Sequence, residues 1–163
     1  MSVEKAKAHL AAVGLADRLV LHAEESDTVE HAAAVLGCEP AHIAKTMSFL
    51  LEEGPIVIVC AGDAKIKNGK YKARFGKKAT MVPFTDVERL VGHEPGGVCP
   101  FGLANGVRVY LDISLQRFET VYAAGGARNA TVRLTPTELA EAVTAEWVDL
   151  CDGWQGEANA EQS

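Results

Sequence analysis

Lys45 stands between Ile43-Ala44 and Thr46-Met47, where a helical turn is expected to meet a strand. A lysine among apolar neighbours either snorkels to water or presents its ammonium to a ligand. In the second case it is a compact cation that can anchor a phosphate or stabilise developing negative charge. Two glycine-rich turns offer a different chemistry. The first runs Gly92-His93-Glu94-Pro95-Gly96-Gly97-Val98-Cys99-Pro100-Phe101-Gly102, and the second is Gly125-Gly126-Ala127-Arg128-Asn129. Glycines let backbone N–H groups approach a ligand and point at an anionic or carbonyl oxygen. The same residues also make tight connections in a small sheet.

A thiol is the remaining candidate. The four cysteines are Cys38, Cys60, Cys99 and Cys151, with no C-x-x-C or H-x-E pair among them, so neither a zinc site nor a cofactor is expected. Cys60 lies in an apolar run and reads as a small buried hydrophobe. Cys99 sits in the first glycine loop and is a possible nucleophile, although no His–Asn/Asp partner can be assigned to it. His93 borders the same loop, and His31 reads as a surface or packing residue. The sequence has no G-x-S-x-G elbow, P-loop or H-E-x-x-H.

The chain has 163 residues with a formal charge of −6, 48% apolar and 23% charged. These values describe a globular chain long enough for one real core. The longest apolar runs, such as Ile56 to Ala61, are too short to cross a bilayer. The N-terminal MSVEKAKAHL has no apolar h-region, so a cytoplasmic protein without a membrane partner is expected. Charge is unevenly spread. Ala64 to Thr85 carries Lys65, Lys67, Lys70, Lys72, Arg74, Lys77 and Lys78 and no acidic residue. Such a run is either a solvated face or a contact for a phosphate backbone.

The elements that must position these groups follow from pattern and caps. Helices are predicted over Val3 to Val13, ending at Gly14, and from an Asp27–Glu30 capping box through Leu36, ending at Gly37. A helical turn is expected at Ala41 to Ala44. A basic helix is expected at Asn68 to Phe75. Two more helices start from Thr85-Asp-Val-Glu88 and from Thr135-Pro136-Thr137-Glu138, the second running to about Ala145. Strands are predicted at Leu19 to His22, Thr46 to Leu51, Ile56 to Cys60, Thr80 to Val82, Val107 to Asp112, Thr120 to Ala124, Ala130 to Leu134 and Trp147 to Leu150. The mixture lacks βαβ alternation. It predicts an α+β (mixed α/β) single compact domain over 1–151 with a mixed, largely antiparallel sheet. The polar segment 152–163 reads as a frayed tail.

Taken together, these pieces resemble the YbaK/EbsC family, the free-standing relatives of the editing domain inserted in bacterial prolyl-tRNA synthetases. The resemblance runs from about Leu21 to Leu150. It is carried by Ile43-Ala44-Lys45-Thr46, Ala61-Gly62-Asp63-Ala64-Lys65, Gly96-Gly97-Val98-Cys99-Pro100-Phe101-Gly102, Val121-Tyr122-Ala123-Ala124-Gly125-Gly126 and Leu134-Thr135-Pro136-Thr137-Glu138-Leu139, in that order.

The resemblance implies a curved mixed sheet with helices packed outside it, and hydrolysis of the ester of a mischarged aminoacyl-tRNA. The tRNA is often that for proline, and the amino acid is small, such as Ala, Cys or 2-aminobutyrate. The family lysine matches Lys45, and the family G-x-x-x-P loop matches Gly96 to Pro100. Catalysis is thereby expected from Lys45 and the backbone of Gly96, Gly97 and Val98, through positioned water and oxyanion stabilisation. Substrate contacts are expected from Thr28, Cys99, Pro100, Phe101, Gly102, Gly125, Gly126 and Asn129. The seven basic residues from Lys65 to Lys78 become candidates for the acceptor stem. A synthetase or elongation factor is a conceivable delivery partner. Some relatives carry an acidic residue shortly after the second glycine turn, where this chain reads Asn129-Ala130-Thr131. Two readings compete: a non-catalytic amino-acid or nucleotide-binding module using the same pocket, and a thiol hydrolase using Cys99.

Overall fold

β3 (Gly54–Ala61) is buried along most of its length, as a strand covered on both faces must be. Its alternation sorts the core: Val57 and Val59 enter one apolar cluster, and Ile56 and Ile58 enter another on the opposite face. In the computed structural model, which describes residues 2–26 and 28–154, β3 lies inside a seven-stranded sheet. The strands are β1 (Leu19–Leu21), β2 (Ile43–Leu51), β5 (Arg108–Asp112), β6 (Val121–Ala124), β7 (Ala130–Leu134) and β8 (Glu146–Val148), ordered β1-β7-β6-β2-β3-β5-β8. Antiparallel pairings join β1 to β7, β7 to β6 and β2 to β3, the last with the longest register. Parallel pairings join β2 to β6, β3 to β5 and β5 to β8. The expected mixed sheet is the one observed, and it is largely antiparallel by the length of its ladders, although its pairings are evenly divided.

Helices cover both faces. α1 (Ser2–Ala12) buries Ala6 and Leu10, one turn apart, in the larger cluster. α4 (Val87–Val91) and α5 (Pro136–Val143) add Val87, Val91, Leu139 and Ala142. α5 starts with a full capping box: the Thr135 hydroxyl accepts from the Glu138 amide at 3.1 Å, and the Glu138 carboxylate accepts from the Thr135 amide at 2.9 Å. α3 (Asn68–Phe75) covers the other face. Its Tyr71 packs on Phe49 and Phe75, and Phe75 meets Tyr110 edge-on. α2 (Val29–Leu36) packs against β2 and the Pro40–His42 turn.

Several local expectations are corrected. The cap of α2 is Thr28, whose hydroxyl accepts from the His31 amide at 3.0 Å; the expected cap Asp27 lies outside the described residues. The Thr85 capping box does not form, because Phe84–Asp86 is a 3₁₀ turn and α4 starts after it without a side-chain cap. The turn expected over Ala41 to Ala44 is a 3₁₀ turn at Pro40–His42, and Ile43 already belongs to β2. Thr80 to Val82 reduces to one bridge between Met81 and Phe49. The packed chain also runs past residue 151: β9 (Cys151–Asp152) pairs with β4 (Lys65–Ile66), and Trp154 is buried. No helix among the described residues is long and apolar enough to cross a membrane.

One buried carboxylate ties the end of the chain to the sheet. Asp112, fully buried, accepts from the Leu150 amide at 2.8 Å and from the Ser114 amide at 2.9 Å. Removing it strands two amides without acceptors. Asp112→Ala is expected to cost about 3 kcal/mol of unfolding free energy, and Asp112→Asn less, since one amide keeps its carbonyl-type acceptor. Urea denaturation followed by circular dichroism measures both. An Asp112→Ala midpoint equal to wild type contradicts this role.

Candidate active site

β2 and β6 run side by side only at Ile43–Tyr122 and Ala44–Ala123. Further along, the outer edge of β2 is taken by a different segment, with the Val82 amide donating to the Ser48 carbonyl and the Leu50 amide to the Thr80 carbonyl. Between these two pairings the sheet has a gap. A cavity of about 200 Å³ occupies it. Lys45 and Thr46, adjacent strand residues whose side chains leave opposite faces, both line it, together with Thr28, Gly96, Tyr122, Arg128 and Thr131. Six alanines form much of the remaining wall: Ala32, Ala44, Ala123, Ala124, Ala127 and Ala130.

Lys45 thus sits inside a strand, rather than at the junction expected of it. Its Nζ makes a long contact of 3.5 Å to the Gly62 carbonyl and no ion pair among the described residues. Gly62 has no room for a side chain, since a Cβ there would lie 2.0 Å from the Pro40 carbonyl oxygen. The next residue, Asp63, takes a bidentate pair from Arg117 at 2.9 and 2.5 Å, and Arg117 stacks on Trp154. The turn that faces the lysine is therefore held from behind.

The two glycine turns meet. A Cβ on Gly97 would lie 2.3 Å from the Gly126 carbonyl oxygen, and one on Gly96 would lie 2.6 Å from Nε of Arg128. Gly126 has φ +101° and packs against the backbone of Ser2 and Val3. Pro95–Gly97 forms a 3₁₀ turn in which the Gly97 amide donates to the Glu94 carbonyl at 2.8 Å. That amide is withdrawn from any oxyanion role. The Gly96 and Val98 amides have no acceptor among the described residues and remain candidate donors.

The other expected contacts lie behind the cavity wall. Cys99, Pro100 and Phe101 are buried and do not line it. Burial pushes the Cys99 thiol up to about 12, and its sulfur points at the Phe101 carbonyl and His93. This disfavours a thiolate nucleophile. Gly102 packs against Lys5, and its amide donates to Nδ1 of His9 at 2.8 Å. Gly125 and Gly126 are buried below the second turn, and the Asn129 amide side chain donates to the His22 carbonyl, which makes it a loop clamp. Thr131 stands in the wall close to where some relatives carry an acid, its hydroxyl 2.8 Å from Nε2 of His22. No Asp or Glu lines the cavity among the described residues, nor is there a cluster of acidic, Cys or His side chains fit to hold a metal.

Two members of the basic run are structural. Lys70 donates to Asp149 at 2.9 Å and to the Cys151 carbonyl, and Arg74 pairs with Glu146 while lying over Phe75 and Tyr110. Lys65 faces Asp152 across the β4–β9 ladder. Lys67, Lys72, Lys77 and Lys78 make no ion pair among the described residues and remain for a polyanion. Residues that the sequence did not single out include Thr46, whose buried hydroxyl has no partner among the described residues, and Tyr122 and Arg128 in the wall. Only their adjacency to Lys45 and to the glycine turns marked them.

This fold and site define a known class. The family of aminoacyl-tRNA editing domains matches residues 23–142, and the chain belongs to it. The uncharacterized protein YwhH of Bacillus subtilis (strain 168) is 44% identical over 157 residues, covering 95% of this chain and 100% of its own. The proline--tRNA ligase of Streptococcus sanguinis (strain SK36) is 29% identical over 131 residues, and this chain spans only 21% of that ligase. A solved structure described as a candidate trans-editing enzyme for prolyl tRNA synthetase has a TM-score of 0.86 at 29% identity, covering 93% of this chain and 98% of its own. That of a hypothetical protein has a TM-score of 0.83 at 32% identity, covering 91% and 99%.

Two outcomes test the loop geometry. Gly97→Ala forces the glycine turns apart and is expected to cost about 1–3 kcal/mol, read as a lowered urea midpoint. His93 is fully buried, donates from Nε2 to the Phe101 carbonyl at 2.6 Å, and has no partner for Nδ1 among the described residues. Burial holds its pKa below the ordinary value. The unfolded chain therefore binds the proton first, and stability falls as pH drops below about 6.5, by at most ~1.4 kcal/mol per pH unit, until the folded form protonates too. Denaturation at pH 5 and 7.5 should show this loss for wild type and a smaller one for His93→Gln; equal losses contradict it.

Proposed function

We propose that this protein is a trans-editing deacylase that hydrolyses the ester between a small noncognate amino acid and its tRNA, tRNA-Pro in the first instance. Family membership and the trans-editing neighbour support the deacylase role. The observation that carries the finer reading is one cavity lined jointly by Lys45, Gly96 and six alanines. Alanine walls around about 200 Å³ suit a side chain such as that of Ala, Cys or 2-aminobutyrate. Pocket shape alone separates neighbours by roughly 1–3 kcal/mol per methylene, so the discrimination is graded.

An aminoacyl ester is already activated, and hydrolysis needs a placed water and a home for negative charge. Water adds to the ester carbonyl carbon, the oxyanion collapses, and the ribose oxygen leaves with a proton. The ammonium of Lys45 and the Gly96 or Val98 amide are the donors available to the oxyanion or to the terminal phosphodiester. With no carboxylate in the wall among the described residues, the free hydroxyl of the terminal ribose or the substrate's own amine is the group that orients the water. Arg128 adds a cation at the Gly96 side of the cavity.

The test is deacylation of tRNAs charged with Ala, Cys, Ser, Thr, 2-aminobutyrate or Pro. Release of one or two small noncognate residues with Pro-tRNA spared is expected. Lys45→Ala should lower kcat/KM by about 100-fold or more, on the scale of losing one oxyanion-stabilising donor. Cys99→Ser should keep most of the activity. No release from any charged tRNA sinks the deacylase reading in favour of a binding module, and loss of activity in a folded Cys99→Ser restores the thiol.

A further inference from the structure

A second cavity, of about 350 Å³, adjoins the first. The two share Thr46, and the Pro95–Gly97 turn divides them, with Gly96 on the Lys45 side and Pro95 and Val98 on the other. Its far wall is Met81, Val82 and Phe84. Phe84 is 77% exposed and Met81 58%, and Phe84 has no ring contact among the described residues. Large side chains left in water at the rim of a cavity mark a binding surface more often than chance does. Lys77 and Lys78, both without ion pairs among the described residues, precede this rim by three and four residues.

We propose that this second cavity seats the terminal nucleobase of the aminoacylated acceptor end, stacked on Phe84 and Met81. The inference rests on the deacylase reading and adds a subsite to it. An aminoacyl group and its base are attached to one ribose. A pocket for the base must therefore open within a sugar's width of the pocket for the amino acid. The cavity beyond Thr46 and the Pro95–Gly97 turn meets that condition. The ribose then lies near Thr46, which both cavities share and whose buried hydroxyl, without a partner among the described residues, can both donate and accept. Stacking on an aromatic face accepts any base, and nearby lysines hold the phosphates that precede it.

Two measurements test this. In the first, kcat/KM is compared for wild type and Phe84→Ala on charged tRNA with an intact 3′-terminal adenosine and on the same tRNA with that position abasic. Each change alone should lower kcat/KM by about tenfold, and the two together by little more, because they remove the same contact. Independent, multiplying losses, or an unaffected Phe84→Ala, overturn the proposal. In the second, 5′-AMP is titrated into the wild-type protein while the Met81 methyl resonance is followed. A saturable shift that Phe84→Ala weakens supports the base site even when no charged tRNA is hydrolysed, in which case only the deacylase reading has failed. No shift at Met81 overturns the base site. Sedimentation of both proteins covers the remaining occupant: a dimer that Phe84→Ala dissociates makes this face an interface between copies and also overturns the proposal. Phe84 is exposed, so the variant is expected to keep its fold, and its melting curve checks that.

Discussion

Gly97 and Gly126 bring two loop backbones together at a distance that forbids a β-carbon on Gly97. Most of the site depends on this approach. It sets the Pro95–Gly97 turn over the gap in the sheet, so that Gly96 reaches one cavity and Val98 the other. The turn uses the Gly97 amide internally and, among the described residues, leaves those of Gly96 and Val98 without an acceptor. The contact is secured from the outside by α1, whose first residues pack on Gly126 and whose Lys5 packs on Gly102. An N-terminal helix with modest burial of its own therefore has a role in holding the loop that carries Gly96 to Gly102.

The lysine is held by a separate chain of contacts. Trp154 supports Arg117, Arg117 grips Asp63, and Asp63 fixes the turn whose Gly62 carbonyl faces Lys45. The only acceptor that Lys45 touches among the described residues is a neutral carbonyl at 3.5 Å. A carboxylate at that place would neutralise the ammonium and compete with an anionic substrate. A carbonyl orients the ammonium without neutralising its charge.

Much of this was legible in the chain. Asn68 to Phe75 forms the expected helix because its bounds are local, with Gly76 at φ +78° ending it. The capping box at Thr135 holds for the same reason. Lys45 was placed one element wrong because Ala41 and Ala44 favour a helix, while pairing of Ala44 with both Ala61 and Ala123 draws it into the sheet. The Gly97–Gly126 contact could not be read, since no local pattern states which glycines meet across the fold. Nor could the acidic partners of the basic run: Asp149 lies 79 residues from Lys70 and Glu146 lies 72 from Arg74 in the chain, and each is beside its partner in space. Only part of that run is left for nucleic acid.

The gap in the sheet is the feature that joins fold to chemistry. A strand that paired along its whole length would bury the Thr46 region against a neighbour and leave no cavity. Here β2 changes partner, from β6 to the Met81 segment, and the interval between the two is where both cavities touch Thr46. Apolar walls on either side keep that interval poor in water, which strengthens any charge–dipole interaction made within it. Among the described residues, the charged side chains in the wall of the first cavity are those of Lys45 and Arg128. Both cavities are thus consequences of one irregularity in strand pairing. An amino acid on one side of Thr46 and a base on the other would place the ester between them, under the Pro95–Gly97 turn.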